Sequence, residues 1–326
     1  MQKGFWEKLP KPFFALAPMA DVTDTAFREL IAKYSAHGTP DGGPDVFWTE
    51  FVSVDGLLSP GREVLLRDFE YTPNEHPIVA QIFGSKPEHF EKVARMVVEL
   101  GFDGIDINMG CPDRSVEKQG AGASLIKNPK LAAELVAAAK SGAGELPVSV
   151  KTRIGYREEA LEPWLSALLN TKPAAITIHA RTRKEMSDVP ARWEEVERAV
   201  KLAESTDTLI IGNGDVRDLE DAKAKAGETG ADGIMLGRAI FGNPWLFNKK
   251  VRRDDVPLPE RLHVMVEHTR LFERKLGNVK NFAIMKKHYK AYATGFDGAK
   301  ELRMKLMETN NALEVEREVE TFIKAL

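Results

Sequence analysis

The run Asp106-Ile107-Asn108-Met109-Gly110-Cys111-Pro112-Asp113-Arg114 carries the only cysteine of the 326 residues. Gly and Pro bracket that cysteine, and the apolar stretch Gly104–Asn108 precedes it, which reads as a buried strand ending in a turn. A thiol with an ordinary pKa of about 8.5 is mostly protonated at neutral pH, so in a cleft it can donate a proton as well as attack. Cys111 is read as a general acid. Lys151 closes a second such stretch, Val148-Ser149-Val150-Lys151. A cation emerging from apolar surroundings needs an anionic partner. Asp106 inside the fold is one candidate. The other is the electron-rich N1–C2 edge of a reduced flavin, which a nearby cation tunes.

Further on, Gly212-Asn213-Gly214-Asp215 and Leu236-Gly237-Arg238 are glycine-containing turns after apolar runs. Such glycines either let backbone N–H groups approach a phosphate or simply make tight turns. Two of them on consecutive late strands, with the guanidinium fork of Arg238, point to phosphate. Gln81 has the donor and acceptor that a flavin imide needs, and His179 is either a phosphate donor or a core histidine. Neither G-x-G-x-x-G nor G-x-x-x-x-G-K-[ST] occurs, which argues against a dinucleotide fold and a P-loop. No His/Cys cluster has zinc spacing, so no metal is expected.

Eight short runs rich in β-branched residues position these groups: Phe13–Ala17, Asp45–Glu50, Pro77–Phe83, Gly104–Asn108, Pro147–Lys151, Ala174–His179, Thr208–Gly212 and Gly233–Gly237. Helical patterns lie between them at Thr25–Tyr34, Pro87–Leu100, Pro129–Lys140, Glu159–Asn170, Arg192–Glu204 and Leu219–Gly227. Eight βα units predict an α/β fold, a closed (β/α)8 TIM barrel, with its chemistry at the C-terminal mouth. After Pro257 the strand signals stop, and four stretches of 3.6-residue periodicity predict a C-terminal helical bundle. The expected domains are therefore a barrel over 1–253 and a helical domain over 257–326. The Gly/Pro-rich segment His37–Pro44 is expected to be a peripheral loop without packing of its own.

Composition sets the outer bounds. Hydrophobic residues make up 43% and charged residues 29%, with no apolar run of about eighteen residues, so no membrane span is expected. The charged N-terminus and single cysteine favour a cytoplasmic protein. Net charge is −3, unevenly spread. From Pro257 onward there are 13 Lys/Arg and 10 Asp/Glu, against 33 and 39 before it, and Arg270–Lys305 holds 10 basic and 3 acidic residues. That local excess, with aromatics interleaved in Lys280–Tyr292, suits either a solvated face or an RNA contact.

Taken together, Ala17–Asp24, Gln81–Gly84, Asn108–Pro112, Gly120–Ala123, Val150–Arg153, His179–Arg183, Gly212–Asp215 and Gly237-Arg238 make the chain similar to the tRNA-dihydrouridine synthases. The resemblance runs nearly end to end. It implies FMN as bound cofactor, NADPH as reductant and tRNA as substrate. It also implies that Pro18, Met19, Ala20, Gln81, Lys151, His179, Asn213, Gly214, Asp215, Gly237 and Arg238 hold the FMN. Cys111 falls on the family's proton donor, Asn108 and Arg153 on positions that hold the target uracil, and His288, Tyr289 and Arg303 on its helical domain, so that Lys286, Lys287 and Arg303 are the expected RNA contacts. Ala180 stands where the family commonly has Gly. Two rival readings are a FMN barrel acting on a free small molecule such as dihydroorotate, against which the basic tail argues, and a flavin-free RNA-binding protein. Which uridine is modified, the choice between NADPH and NADH, and the oligomeric state are not legible in the sequence.

Overall fold

The computed structural model describes residues 3–326. In chain order the strands are β1 Phe13–Leu16, β2 Phe47–Ser53, β3 Ile78–Phe83, β4 Gly104–Met109, β5 Val148–Arg153, β6 Ala175–His179, β7 Leu209–Asn213 and β8 Gly233–Leu236. The helices are α1 Thr25–Tyr34, α2 Val54–Leu57, α3 Arg62–Leu65, α4 Pro87–Glu99, α5 Arg114–Lys118, α6 Pro129–Ala143, α7 Leu161–Leu169, α8 Trp193–Ala203 and α9 Leu219–Thr229. Four more follow: α10 Leu258–Leu276, α11 Met285–Tyr292, α12 Ala299–Glu308 and α13 Ala312–Ile323.

All eight strands are parallel and pair in the order β1-β8-β7-β6-β5-β4-β3-β2. A bridge between Ala15 and Val46, with Leu16 N–H donating to Val46 O at 3.2 Å, closes the ring into the expected TIM barrel. β3, β4, β7 and β8 are buried along their whole length, as strands covered on both faces must be. β2 and β5 run past their predicted ends, and β2 carries an irregularity between Trp48 and Phe51 that sequence periodicity does not show.

The chain divides into two compact units, the first made of residues 1–19, 45–69 and 76–237, the second of residues 20–44, 70–75 and 238–326. In the first, α4, α6, α7, α8 and α9 pack in succession around the barrel. Its interior is graded. At the strand starts Phe13 and Trp48 meet Trp6, which is 2% exposed and plugs that end with ring centroids 5.6 and 5.9 Å away. Toward the strand ends the inward side chains become polar: Asp106, Ser149, Lys151, Asn108 and Asn213. Aromatic burial at one end supplies stability and leaves the other end for chemistry.

The second unit is helical, with α10 packed on α1, α11 and α13. Asp24 caps α1 by accepting the Phe27 N–H at 2.9 Å, as an N-cap side chain should. A fully buried pair, Arg28 Nε to Glu75 Oε2 at 2.6 Å, fixes residues 70–75 against α1. Two expectations are corrected here. The segment 37–44 is not peripheral: Gly42, Gly43 and Pro44 are buried, His37 Nδ1 meets Pro44 O at 2.7 Å, and Lys249 N–H donates to Asp41 O at 2.8 Å. A Cβ on Gly42 would lie 1.8 Å from Ala36 O, so glycine is required there. The boundary also falls elsewhere than 253/257, because α1, read as a barrel helix, buries its face against α10.

Candidate active site

The loop after β4 holds Cys111 through its backbone. Asn108 Oδ1 accepts the N–H groups of Gly110 and Cys111 at 3.1 and 2.8 Å, and Ala123 N–H donates to Cys111 O at 2.9 Å. The half-buried side chain packs with Phe51 against Phe83, Val116 and Ala121. Burial pushes the thiol pKa up, aided by the charges of Asp113 and Glu117 and opposed by the Asp113 N–H and by Arg153. Cys111 is therefore protonated at neutral pH, the state a general acid needs.

The neighbouring β5 supplies the cations. Arg153, 6% exposed, donates Nε to Gly110 O at 2.8 Å and Nη1 to Thr182 O and Met186 O at 3.1 and 2.9 Å. It thus braces the cysteine loop and keeps Nη2 as its remaining donor. Burial lowers its pKa to about 10, still charged at neutral pH. Lys151 lies beside Asn108 in the β4–β5 register and donates to Asn213 Oδ1 at 3.2 Å. No carboxylate among the described residues makes an ion pair with it. Burial brings its pKa down to about 8, with Arg153 adding to the shift and Asp106 and Cys111 opposing it. Of the two partners weighed for Lys151, Asp106 acts through space rather than by direct pairing.

Gln81 is more engaged than the sequence suggests. Its Nε2 donates to Asp106 Oδ2 at 2.7 Å and its Oε1 accepts from Asn108 Nδ2 at 3.0 Å. Each amide, Gln81 and Asn108, thus retains one uncommitted hydrogen. At the end of β6, Arg181 Nη1 faces His179 Nε2 at 3.2 Å. Arginine has no acceptor, so Nε2 accepts and the histidine proton sits on Nδ1. Arg181 also pairs with Asp215, whose carboxylate accepts the Ala191 N–H at 2.9 Å. The Asp215 side chain is thereby taken up within the protein. Asn213 Nδ2 donates to Met235 O at 2.8 Å, tying β7 to β8.

The glycines of this region have packing duties. A Cβ on Gly212 would come within 2.5 Å of Trp193, and one on Gly214, at φ +137°, within 2.7 Å of Ala191. Gly237 has only ordinary contacts at 3.6 Å with Ala17 and Met19. Pro18 and Met19 are half-buried in the same unit. Ala20 and Arg238, both exposed, belong to the second unit. Sequence reasoning missed the ion pair of Arg183 with Glu117, whose Nε–Oε2 distance is 2.9 Å and which pins α5 behind the cysteine. Nothing in residue spacing brings positions that far apart together.

On the second unit Lys286 donates Nζ to Met307 O at 2.7 Å, Lys287 lies 3.5 Å from Asp21, and Arg303 donates Nη1 to Ala293 O at 2.7 Å. Of the interleaved aromatics, Tyr289 and Tyr292 are buried and Phe282 is half-buried. His268 and His288 lie beside them with centroids 4.6 Å apart, and His268 stacks on Phe27 at 4.5 Å.

Residues 15–326 match the family described as dihydrouridine synthase (Dus). The "Probable tRNA-dihydrouridine synthase 2" of Bacillus subtilis strain 168 is 42% identical over 327 residues, covering 99% of this chain and 97% of that protein. A "Probable tRNA-dihydrouridine synthase" of Staphylococcus aureus strain Mu50 is 40% identical, covering 99% and 96%. Among solved structures, 6-hydroxypseudooxynicotine amine oxidase from Pseudomonas geniculata N1 matches with a TM-score of 0.54 at 14% identity, over 76% of this chain and 48% of that one. An old yellow enzyme homologue from Zymomonas mobilis matches with 0.50 at 15%, over 76% and 90%. At such identities the likeness is one of fold.

Proposed function

The chain belongs to the dihydrouridine synthase family, and from that premise we propose that it reduces specific uridines of tRNA to 5,6-dihydrouridine, with FMN bound in the barrel and NADPH as reductant. The observation that carries the reading is the placement of Cys111 in the loop after β4, where Asn108 Oδ1 accepts its N–H at 2.8 Å, Arg153 braces the preceding carbonyl of Gly110 at 2.8 Å and Lys151 stands beside Asn108 on the next strand.

The donor set fits FMN. Lys151 has lost hydration without gaining a carboxylate partner among the described residues, and an anionic flavin edge held by it would restore the stability of its charged form. Gln81 brings its second amide hydrogen, Asn213 holds the Lys151 ammonium in place, and His179 is proposed as a further contact position. Pro18, Met19, Gly214, Asp215 and Gly237 are proposed as backbone and contact positions in the same unit. Ala20 and Arg238 are proposed on sequence alone. FMN, when bound, supplies the hydride that arrives at C6 of the uracil.

The protein's own part is geometry and one proton. Asn108 and Arg153 direct their remaining N–H groups at the polar edge of the base, fixing it in one orientation. Cys111 holds its proton on Sγ and delivers it to C5; the resulting thiolate takes a proton from solvent before the next cycle. A uracil inside folded RNA must leave its stack to reach such a pocket. Lys286, Lys287 and Arg303 are proposed to meet the phosphates of that RNA, and the substrate sets the cytoplasm as the place of reaction.

The test is turnover by the full chain, loaded with FMN and supplied with NADPH, on unmodified tRNA and on free dihydroorotate or uracil compounds. Dihydrouridine in the RNA is expected. Turnover confined to the small molecules overturns the proposal.

A further inference from the structure

A line of side chains runs from inside the barrel to the cysteine loop, and each member can face the next in only one way. The N–H groups of Gly110 and Cys111 are donors, so the Asn108 atom 3.1 and 2.8 Å from them is oxygen. Its amide nitrogen then faces Gln81 at 3.0 Å, where it requires an acceptor, so that atom is Oε1. The Gln81 nitrogen in turn faces Asp106 at 2.7 Å and requires an acceptor there. The polarity of the whole chain is thus dictated from both ends, by backbone donors at the mouth and by a carboxyl oxygen in the interior. Asp106 is held from its other side by the Ser149 hydroxyl at 2.6 Å, which also lies 3.4 Å from Ile105 O.

We infer that Asp106 is a positioning residue for Cys111, acting through Gln81 and Asn108 to hold the cysteine loop in its proton-donating geometry. Without an acceptor at 106, Gln81 can turn its amide over and present NH2 to Asn108. Asn108 then has a donor where it needs an acceptor, and its grip on the two loop N–H groups fails. The chain needs an acceptor at position 106 but not a charge there. The charged group facing Asp106 is Lys151, and those facing Cys111 are Asp113, Glu117 and Arg153. None of them bonds to Gln81 or Asn108, so the relay runs through the amides alone. Desolvation already raises the Asp106 pKa to about 6, so the fold keeps a costly carboxyl where a leucine would be cheaper to bury.

The inference rests on Cys111 as the acid, and its test separates the two claims. Asp106→Leu and Asp106→Asn are made in the full chain, and dihydrouridine formation is measured per bound flavin. Asparagine can present its oxygen to Gln81 and its nitrogen to Ser149, whose hydrogen turns to Ile105 O. It is expected to work within about threefold of the parent, whereas the leucine variant loses on the order of a hundredfold, as misplacement by about 1 Å does. Reduction of bound flavin by NADPH is measured alongside, because Gln81 and Lys151, both proposed to hold FMN, lie beside Asp106; a loss of reduction as large as the loss of product places the defect at the flavin and overturns the relay. A second readout needs no flavin: Cys111 is the sole thiol, so its alkylation by iodoacetamide reports the loop directly. It is expected to be about tenfold faster in Asp106→Leu than in the parent or Asp106→Asn, because local opening exposes the sulfur. Equal losses in both variants, or parental turnover and alkylation in Asp106→Leu, overturn the relay. Should the leucine variant not fold, a hundredfold loss in Asp106→Asn overturns it alone, and threefold or less supports it. Dihydrouridine made by Cys111→Ala would instead sink the acid assignment and leave the relay without purpose.

Discussion

Lys151 carries a charge that no carboxylate among the described residues pairs with. A half-buried ammonium with one amide for company has its pKa lowered to about 8 chiefly by desolvation. The folded state therefore holds the lysine's proton less tightly than the unfolded chain does, and the charge is a burden on folding at every pH below about 8. Lys151→Met should raise the unfolding midpoint of the flavin-free protein at pH 7 while weakening its retention of FMN. Denaturant melts and flavin-release titrations check the two halves, and a less stable variant that holds flavin normally would refute the assignment. Cys111 and Lys151 stand out in the sequence as candidates because each interrupts an apolar stretch of one short strand or its turn. The links that position them were not, because Gln81, Asp106 and Asn108 belong to two strands, and only strand register brings them together.

At the scale of elements, strands were easier to read than helix partners. Period-2 and buried β-branched runs mark strands locally, and all eight formed. An amphipathic helix shows only that one face is covered, never by what, which is why α1 was assigned to the barrel when Phe27 stacks on His268 of α10. The same blindness hides the burial of Tyr289 and Tyr292 of α11, within the stretch read as either a solvated face or an RNA contact. The second unit carries a pH liability that no sequence rule shows. His268 and His288 are buried among Phe27, Phe241 and Tyr292, and none of their four ring nitrogens has a hydrogen-bond partner among the described residues. Burial pushes His288 down to about 3, with the Lys287 charge adding to it, and drives His268 well below its usual range, with His288 adding there. The unfolded chain thus binds protons more readily than the folded one, so stability rises with pH and is lost as pH falls below about 6.5. Each histidine contributes up to about 1.4 kcal/mol per pH unit in that window. Replacing both by leucine should flatten the acid side of the stability curve. A curve as steep as the parent's would show that the pair does not titrate on unfolding.

Over the whole molecule, Cys111, Arg153 and Lys151 lie on the first unit and the basic stretch from Arg270 to Lys305 on the second. No described helix is long and apolar enough to cross a membrane. Lys286→Glu with Lys287→Glu should weaken tRNA binding and reduce the slope of log affinity against log salt by about one per lysine, while leaving NADPH oxidation intact. Arg303→Glu carries a structural loss, since its guanidinium holds the Ala293 carbonyl, as the Lys286 ammonium holds that of Met307. Unchanged affinity in the lysine pair would leave that face as ordinary solvated surface.

The central claim, that this barrel reduces uridine in RNA with Cys111 as its acid, meets its most direct test in one comparison. Parent and Cys111→Ala, both loaded with FMN, are given NADPH and unmodified tRNA, and dihydrouridine is quantified by mass spectrometry of the digested RNA. The account predicts dihydrouridine from the parent and essentially none from the variant, with flavin content and flavin reduction unchanged. Dihydrouridine from Cys111→Ala at the parental rate would contradict it.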